Sequence, residues 1–188
     1  PTVVIECRPL PWERAKLYKE GVEIITPSVR RTPPESVSPR AKIQNYVNMI
    51  LADLEVKSRN PSGWPVLLDY AGNLCEGTNS NIFLVKNGEV FTPRSQMVLG
   101  GISRQTVIDL AKKNGIVIHE TDIDLFDAYI ADEAFVTTTS ICMLPVKSIN
   151  GVGLDINNVP GPVTTRLLAM YSEFVGLDIP GQYLEHVK

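Results

Sequence analysis

The sequence predicts an α+β fold whose strands pair mostly antiparallel. Short apolar runs of strand length are mixed with helix-like stretches instead of alternating with them as in a doubly wound sheet. Asn87-Gly88 sits between two such runs, 81–85 and 89–92, and Asn-Gly there is a strong hairpin signal because both residues accept positive φ. Asn150-Gly151 repeats the signal after a second pair of runs, 133–137 and 143–149, set around a polar loop.

The elements follow in order. Residues 1–11 open on Pro1-Thr2-Val3-Val4-Ile5 and read as a strand. Residues 12–20 carry helix formers and stop at Gly21, and 22–25 is a short strand. Residues 26–39 hold four of the fourteen prolines, which remove ladder donors and forbid helix interiors, so they form a loop or linker. Val47, Ile50, Leu51, Leu54 and Val56 follow helical spacing, with Asn45 as the expected cap and Asn60-Pro61-Ser62-Gly63 as the stop. A strand at 66–69 and a turn at 71–73 come next. Ser103 is the expected cap of a helix over 103–113, and Gly115 ends it. A strand at 116–118, a short helix at 124–128 and a terminal helix at 163–174 complete the reading. No internal repeat or low-complexity tract is present.

Size and composition narrow the function classes. A chain of 188 residues with 44% hydrophobic content can bury a substantial core. Net charge is −3 and no basic run exceeds a dipeptide, which argues against a nucleic-acid face. Apolar runs such as Ile82-Phe83-Leu84-Val85 are too short to span a bilayer. The start carries no signal-peptide layout and no methionine, and reads as a chain entered in mid-domain. Cys7, Cys75 and Cys142 are far apart and form no CxxC, so the expectation is buried or partly buried free thiols in a reducing cytoplasm. His119 and His186 are the only histidines, too few for a His-centred triad or a His-rich metal site, and no metal is expected.

Four places could carry chemistry. Arg40-Ala41-Lys42 precedes a helix; Lys42 is a solvated surface charge unless buried, where its free amine becomes a nucleophile. Glu76-Gly77-Thr78-Asn79-Ser80-Asn81 is either an ordinary polar turn or a carboxylate facing a pocket. Leu99-Gly100-Gly101-Ile102-Ser103-Arg104 is either a plain capped helix or a backbone approach to an anion at a helix N-terminus. Thr137-Thr138-Thr139-Ser140 is either a threonine-rich strand end or a cradle for phosphate or carboxylate. Together they supply an amine, a carboxylate and two anion cradles, a set that suits a ligand with an aldehyde, a ring nitrogen and a phosphate.

In this order the set resembles the class IV, fold-type-IV aminotransferases, which include branched-chain and D-amino acid aminotransferases, amine transaminases and aminodeoxychorismate lyase. The matches are Pro39-Arg40-Ala41-Lys42 with Asn45-Tyr46, Leu68-Asp69 before the glutamate block ending Ile82-Phe83, Pro93 before the Gly-Gly block, and Asp132-Glu133-Ala134-Phe135 before Thr139 and Pro145-Val146. The resemblance implies the large domain of that fold, a mixed, mostly antiparallel, partly barrel-like sheet with flanking helices. It implies residues 1–38 as the end of a small domain plus linker, and 39–188 as the pyridoxal 5'-phosphate-binding domain. It implies transamination from an amino acid or amine donor to a 2-oxo acid in a homodimer, with a lyase or an incomplete fragment as alternatives.

Residue by residue, the resemblance makes Lys42 the Schiff-base lysine and proton carrier, and Glu76 the partner of the pyridine nitrogen. Tyr46 would bond the ring hydroxyl and Leu99 pack on the ring. Ile102, Ser103 and Thr139 would hold the phosphate, and Thr139 and Ser140 amides would meet a substrate carboxylate. Two departures stand out. The lysine–tyrosine spacing is one residue shorter than in branched-chain enzymes, and Ile141-Cys142-Met143-Leu144 lacks their usual acidic and threonine residues. A preceding small domain, with its phosphate-binding arginine, is expected in family members and has no counterpart among these residues.

Overall fold

The computed structural model describes residues 2–154 and 159–187. The expected N-terminal strand does not form: residues 2–10 have no regular structure, and Val3, Val4 and Ile5 are 81, 83 and 88% exposed. Apolar alternation alone does not hold a strand, which needs a ladder partner. Chain order begins with a 3-10 turn (Trp12–Arg14) and a short helix α1 (Leu17–Glu20). Gly21 ends α1 at φ 72°, where a side chain would also press on Lys147 and Val159.

Strand β1 (Val22–Ile25) follows, then the proline-rich loop. That loop is not free. The Asn48 side chain accepts from Thr32 N–H at 3.1 Å and donates to the Arg30 carbonyl at 2.8 Å, while Arg31 N–H donates to the Leu68 carbonyl at 2.8 Å. Helix α2 (Val47–Arg59) starts at Tyr46 rather than Asn45, and no side chain caps it. Its helical spacing is as expected, but its burial is not. Met49, Ala52 and Val56 face inward, whereas Val47, Ile50, Leu51 and Leu54 are 50–63% exposed.

The remaining strands are β2 (Trp64–Leu68), β3 (Leu74–Gly77), β4 (Asn81–Lys86), β5 (Glu89–Thr92), β6 (Ile118–Glu120), β7 (Glu133–Thr138), β8 (Cys142–Ile149) and β9 (Val152–Gly153). The helices are α3 (Ile102–Lys113), α4 (Leu125–Tyr129), α5 (Pro162–Val175) and α6 (Ile179–Glu185). Strand order is β3-β2-β1-β8-β7-β4-β5-β6, and β3 also pairs with β4. Six strands therefore close a ring, with β5 and β6 extending beyond it. β1 runs parallel to β2 and β8, and β5 to β6; the other pairings are antiparallel. The fold is thus α+β with a mixed, mostly antiparallel, partly closed barrel, as the resemblance implied. β1, the strand expected at 22–25 within the stretch implied to be a small-domain end plus linker, sits in that ring, and Ala15, Tyr18, Val22 and Ile24 join the main core.

The hairpin at Asn87-Gly88 forms as predicted, with φ 52° and 79° and Lys86 opposite Glu89. Asn150-Gly151 likewise turns β8 into β9, with φ 51° and 79°. Three boundaries differ. The strand expected at 116–118 lies at 118–120, because its register is set by β5. Ser103 is inside α3, whose cap is Gly101. A helix, α6, follows the one expected to be terminal; Asp178 accepts from Gly181 N–H to cap it, and Tyr183 anchors it in the core. Cys75 is buried and Cys142 partly so, but Cys7 is exposed, since the segment holding it packs on nothing. No described helix is long and apolar enough to cross a membrane.

Candidate active site

The barrel closes at a single register pair, Glu76 on β3 opposite Asn81 on β4. The turn between them is tight: Gly77 N–H donates to the Ser80 carbonyl at 2.8 Å, and a side chain at Gly77 would collide with Ser80 and the Pro65 carbonyl. This seam puts a carboxylate on the barrel wall rather than on a loop tip. Glu76 is 4% exposed and faces a cavity of about 610 Å³.

Both oxygens of Glu76 are engaged. Oε1 accepts from Arg31 Nε at 3.0 Å and Oε2 from Leu99 N–H at 2.9 Å. Burial pushes the carboxyl above its usual range, while the Leu99 N–H and the Arg31 guanidinium pull the other way. Asn81 completes the seam: its Nδ2 donates to the Leu99 carbonyl at 3.1 Å. The Leu99 peptide is therefore held at both ends, which fixes the approach to α3. A Cβ at Gly101 would collide with the Asn81 side-chain oxygen, so glycine is required where the chain passes it.

Helix α3 begins at the cavity. Its first turn has no side-chain cap, and among the described residues the N–H groups of Ile102, Ser103 and Arg104 have no acceptor, an arrangement that suits an anion. The Ser103 hydroxyl, instead of capping, donates to the Thr138 carbonyl at 3.2 Å and accepts from Tyr171 at 3.2 Å. That bond ties α3 to the hydroxyl-rich turn between β7 and β8, where Thr138, Thr139 and Ser140 also line the cavity.

Every residue singled out from the sequence borders this one cavity: Lys42, Tyr46, Glu76, Leu99, Ile102, Ser103, Thr139 and Ser140. Their exposure differs. Glu76 and Ser103 are buried, while Lys42, Tyr46, Ile102 and Thr139 are exposed along the rim. The burial that the sequence reading required of an active lysine is not found at Lys42, which is exposed where it borders the cavity that Glu76 also lines. Sequence reasoning missed Arg31 as a partner of Glu76, because the proline-rich loop that carries it had no visible register to the barrel. It also missed Asn81 as the brace of Leu99. Arg104, at the same wall, is buried against the Pro93 carbonyl and Glu120, both at 2.9 Å. The Thr137 hydroxyl is buried there with no partner among the described residues. Among the described residues, no cluster of His, Cys, Asp and Glu could hold a metal ion.

Comparison with known proteins places this geometry. The sequence model of the family described as Amino-transferase class IV matches residues 1–149. A Methanocaldococcus jannaschii protein provisionally named a branched-chain-amino-acid aminotransferase is 38% identical over 174 residues, covering 92% of this chain and 59% of that protein. The branched-chain-amino-acid aminotransferase of Escherichia coli K12 is 33% identical over 165 residues, covering 86% of this chain and 53% of its own length. The crystal structure of the branched-chain amino acid aminotransferase of Thermobaculum terrenum in its PLP form superposes with a TM-score of 0.78 at 32% identity, over 86% of this chain and 53% of that one. The chain thus spans little more than half the length of the relatives it matches.

Proposed function

This chain belongs to the class IV aminotransferases, and we propose that the protein moves an amino group from an amino acid or amine donor to a 2-oxo acid, using pyridoxal 5'-phosphate bound in the cavity. The observation that carries this reading is convergence. An amine, a buried carboxylate, an uncapped helix N-terminus and a hydroxyl-rich turn, distant in sequence, meet around one space.

The residues present fit the cofactor. Glu76 offers a buried carboxylate with burial opposing its charge, a site that favours a protonated ring nitrogen as partner. The N–H groups of Ile102 and Ser103 and the hydroxyl of Thr139 suit a phosphate. When bound, the cofactor supplies an electron sink for the pair left on Cα when its proton departs. Lys42 supplies the amine that anchors the cofactor covalently and, once released, carries the proton at Cα. Leu99, whose backbone is held by Glu76 and Asn81, would pack on the ring, and Tyr46 would bond the ring hydroxyl. Ser140 and Thr139 amides receive the substrate carboxylate. A branched-chain donor follows the named relatives. The same reading makes the protein a cytoplasmic homodimer, for which the outward apolar stripe of α2 is an available face.

The test is chemical trapping. The protein loaded with pyridoxal 5'-phosphate and reduced with borohydride should carry the cofactor on Lys42, located by peptide mass spectrometry. Lys42→Ala should lose the adduct and transaminase activity together. Retention of both by the variant would end this reading.

A further inference from the structure

Three hydroxyls hold the carbonyls of the turn between β7 and β8, two of them from the side away from the cavity. Tyr18 donates to the Ile141 carbonyl at 2.8 Å, Tyr183 donates to the Ser140 carbonyl, and Ser103 donates to the Thr138 carbonyl at 3.2 Å. Tyr18 and Tyr183 are 3% and 1% exposed, and their rings lie 5.4 Å apart. Neither borders the cavity, whereas Thr138, Thr139 and Ser140 do. The phenols therefore sit on the core side of the turn and the cavity on the other. Burial raises both phenols above their usual range, so they stay protonated donors.

A trans peptide points its N–H opposite its carbonyl. Pinning the Ser140 carbonyl toward Tyr183 turns the Ile141 N–H away from the core. Among the described residues, the N–H groups of Thr139, Ser140 and Ile141 have no acceptor. The turn also forces Cys142 to φ 53°, a left-handed conformation unfavourable for a non-glycine residue. Such a turn keeps its shape only where its surroundings over-determine it, and the phenols supply that restraint.

We infer that Tyr18 and Tyr183 are positioning residues that pre-set the N–H edge of residues 139–141 to receive the carboxylate of the substrate. This rests on the proposed function and goes beyond it. Tyr183 lies outside residues 1–149, the part matched by the family, and Tyr18 comes from a helix far from every motif. Neither touches substrate; both act through the peptides they hold.

The test uses the full chain saturated with pyridoxal 5'-phosphate, so that any phosphate site is filled. 4-Methylpentanoic acid is titrated in while the backbone amide signals of Thr139, Ser140 and Ile141 are followed by NMR. 4-Methylpentan-1-ol, without the carboxylate and unreactive toward a Schiff base, is the matched probe. Tyr18→Phe and Tyr183→Phe, each removing one hydroxyl, should weaken acid binding roughly 5-fold and leave alcohol binding unchanged. Thr92→Val removes another buried hydroxyl–carbonyl bond, from Thr92 to Ile82 at 2.9 Å, away from the cavity. It should lower stability and leave acid binding intact. Unshifted turn amides in the wild type, equal acid affinity in wild type and variants, or an equal loss for acid and alcohol would each overturn the inference. The borohydride adduct on Lys42 keeps the two readings apart. Its absence in the wild type removes the functional reading, whereas an intact adduct with unchanged acid affinity removes only the tyrosine clamp.

Discussion

Arg31 donates Nε to Oε1 of Glu76 at 3.0 Å, and the side chains are only 12% and 5% exposed. The pair joins the proline-rich loop to the seam of the barrel. It also sets the charge on the carboxylate: burial favours the neutral acid, and the guanidinium favours the anion.

Removing Arg31 leaves that carboxylate without its cation. Arg31→Ala is expected to destabilise the chain by about 3 kcal/mol at neutral pH, the scale for breaking a buried pair, and to weaken cofactor binding. Arg31→Lys should recover part of the loss, since a lysine restores the charge without the guanidinium geometry. Urea unfolding and a cofactor titration followed by absorbance measure both. Unchanged stability in Arg31→Ala would mean that the pair contributes nothing.

The pH dependence of stability has a defined sign. Glu76 has a raised carboxyl in the folded chain, so the folded state keeps its proton where the unfolded state has released it. Without cofactor, its contribution is fully present below the ordinary value of 4.5 and is lost as pH rises through the folded value. Glu55 and Asp132 are held low, Glu55 chiefly by the Ser28 N–H and Asp132 by the Lys86 side chain, and act in the opposite direction as pH falls. Comparing wild type with Glu76→Gln isolates the first effect. The variant should lose less stability on going from acid to neutral pH, as read by thermal unfolding across that range.

The three thiols should separate by reactivity. Cys7 is exposed, whereas burial pushes Cys75 up to about 12 and raises Cys142. A short iodoacetamide pulse on the native chain is expected to add one label, on Cys7, with the other two labelled only after unfolding. Rapid native labelling of Cys75 would contradict its burial on β3.

At the β4–β5 hairpin, a side chain at Gly88 would meet nothing within 4 Å, yet its φ is 79°. Gly88→Ala therefore isolates backbone strain from steric clash. It should cost roughly 1 kcal/mol, seen as a lower urea midpoint, with the Lys42 adduct unaffected because the hairpin tip is remote from the cavity.

Local signals were legible in the chain itself. Asn87-Gly88 and Asn150-Gly151 state their turns because positive φ is a property of the residues themselves. The end of α1 at Gly21 and the prolines between β1 and α2 are equally local. So was the set of eight cavity residues, through the resemblance of their motifs. Pairing was not legible, and for the same reason the N-terminal apolar run misled: Val3, Val4 and Ile5 carry strand character but have no ladder partner among the described residues. α2 shows the limit from the other side. Its periodicity gave the helix, while the neighbours that bury Met49, Ala52 and Val56 and leave Ile50 and Leu54 outside come from the rest of the fold. Tertiary structure alone decided that Glu76 meets Asn81 at the seam, that Arg31 reaches Glu76 across 45 positions, and that Tyr18 and Tyr183 share one turn. Those relations depend on strand order and ring closure, which arise from burying the whole core at once and are encoded in no single stretch of residues.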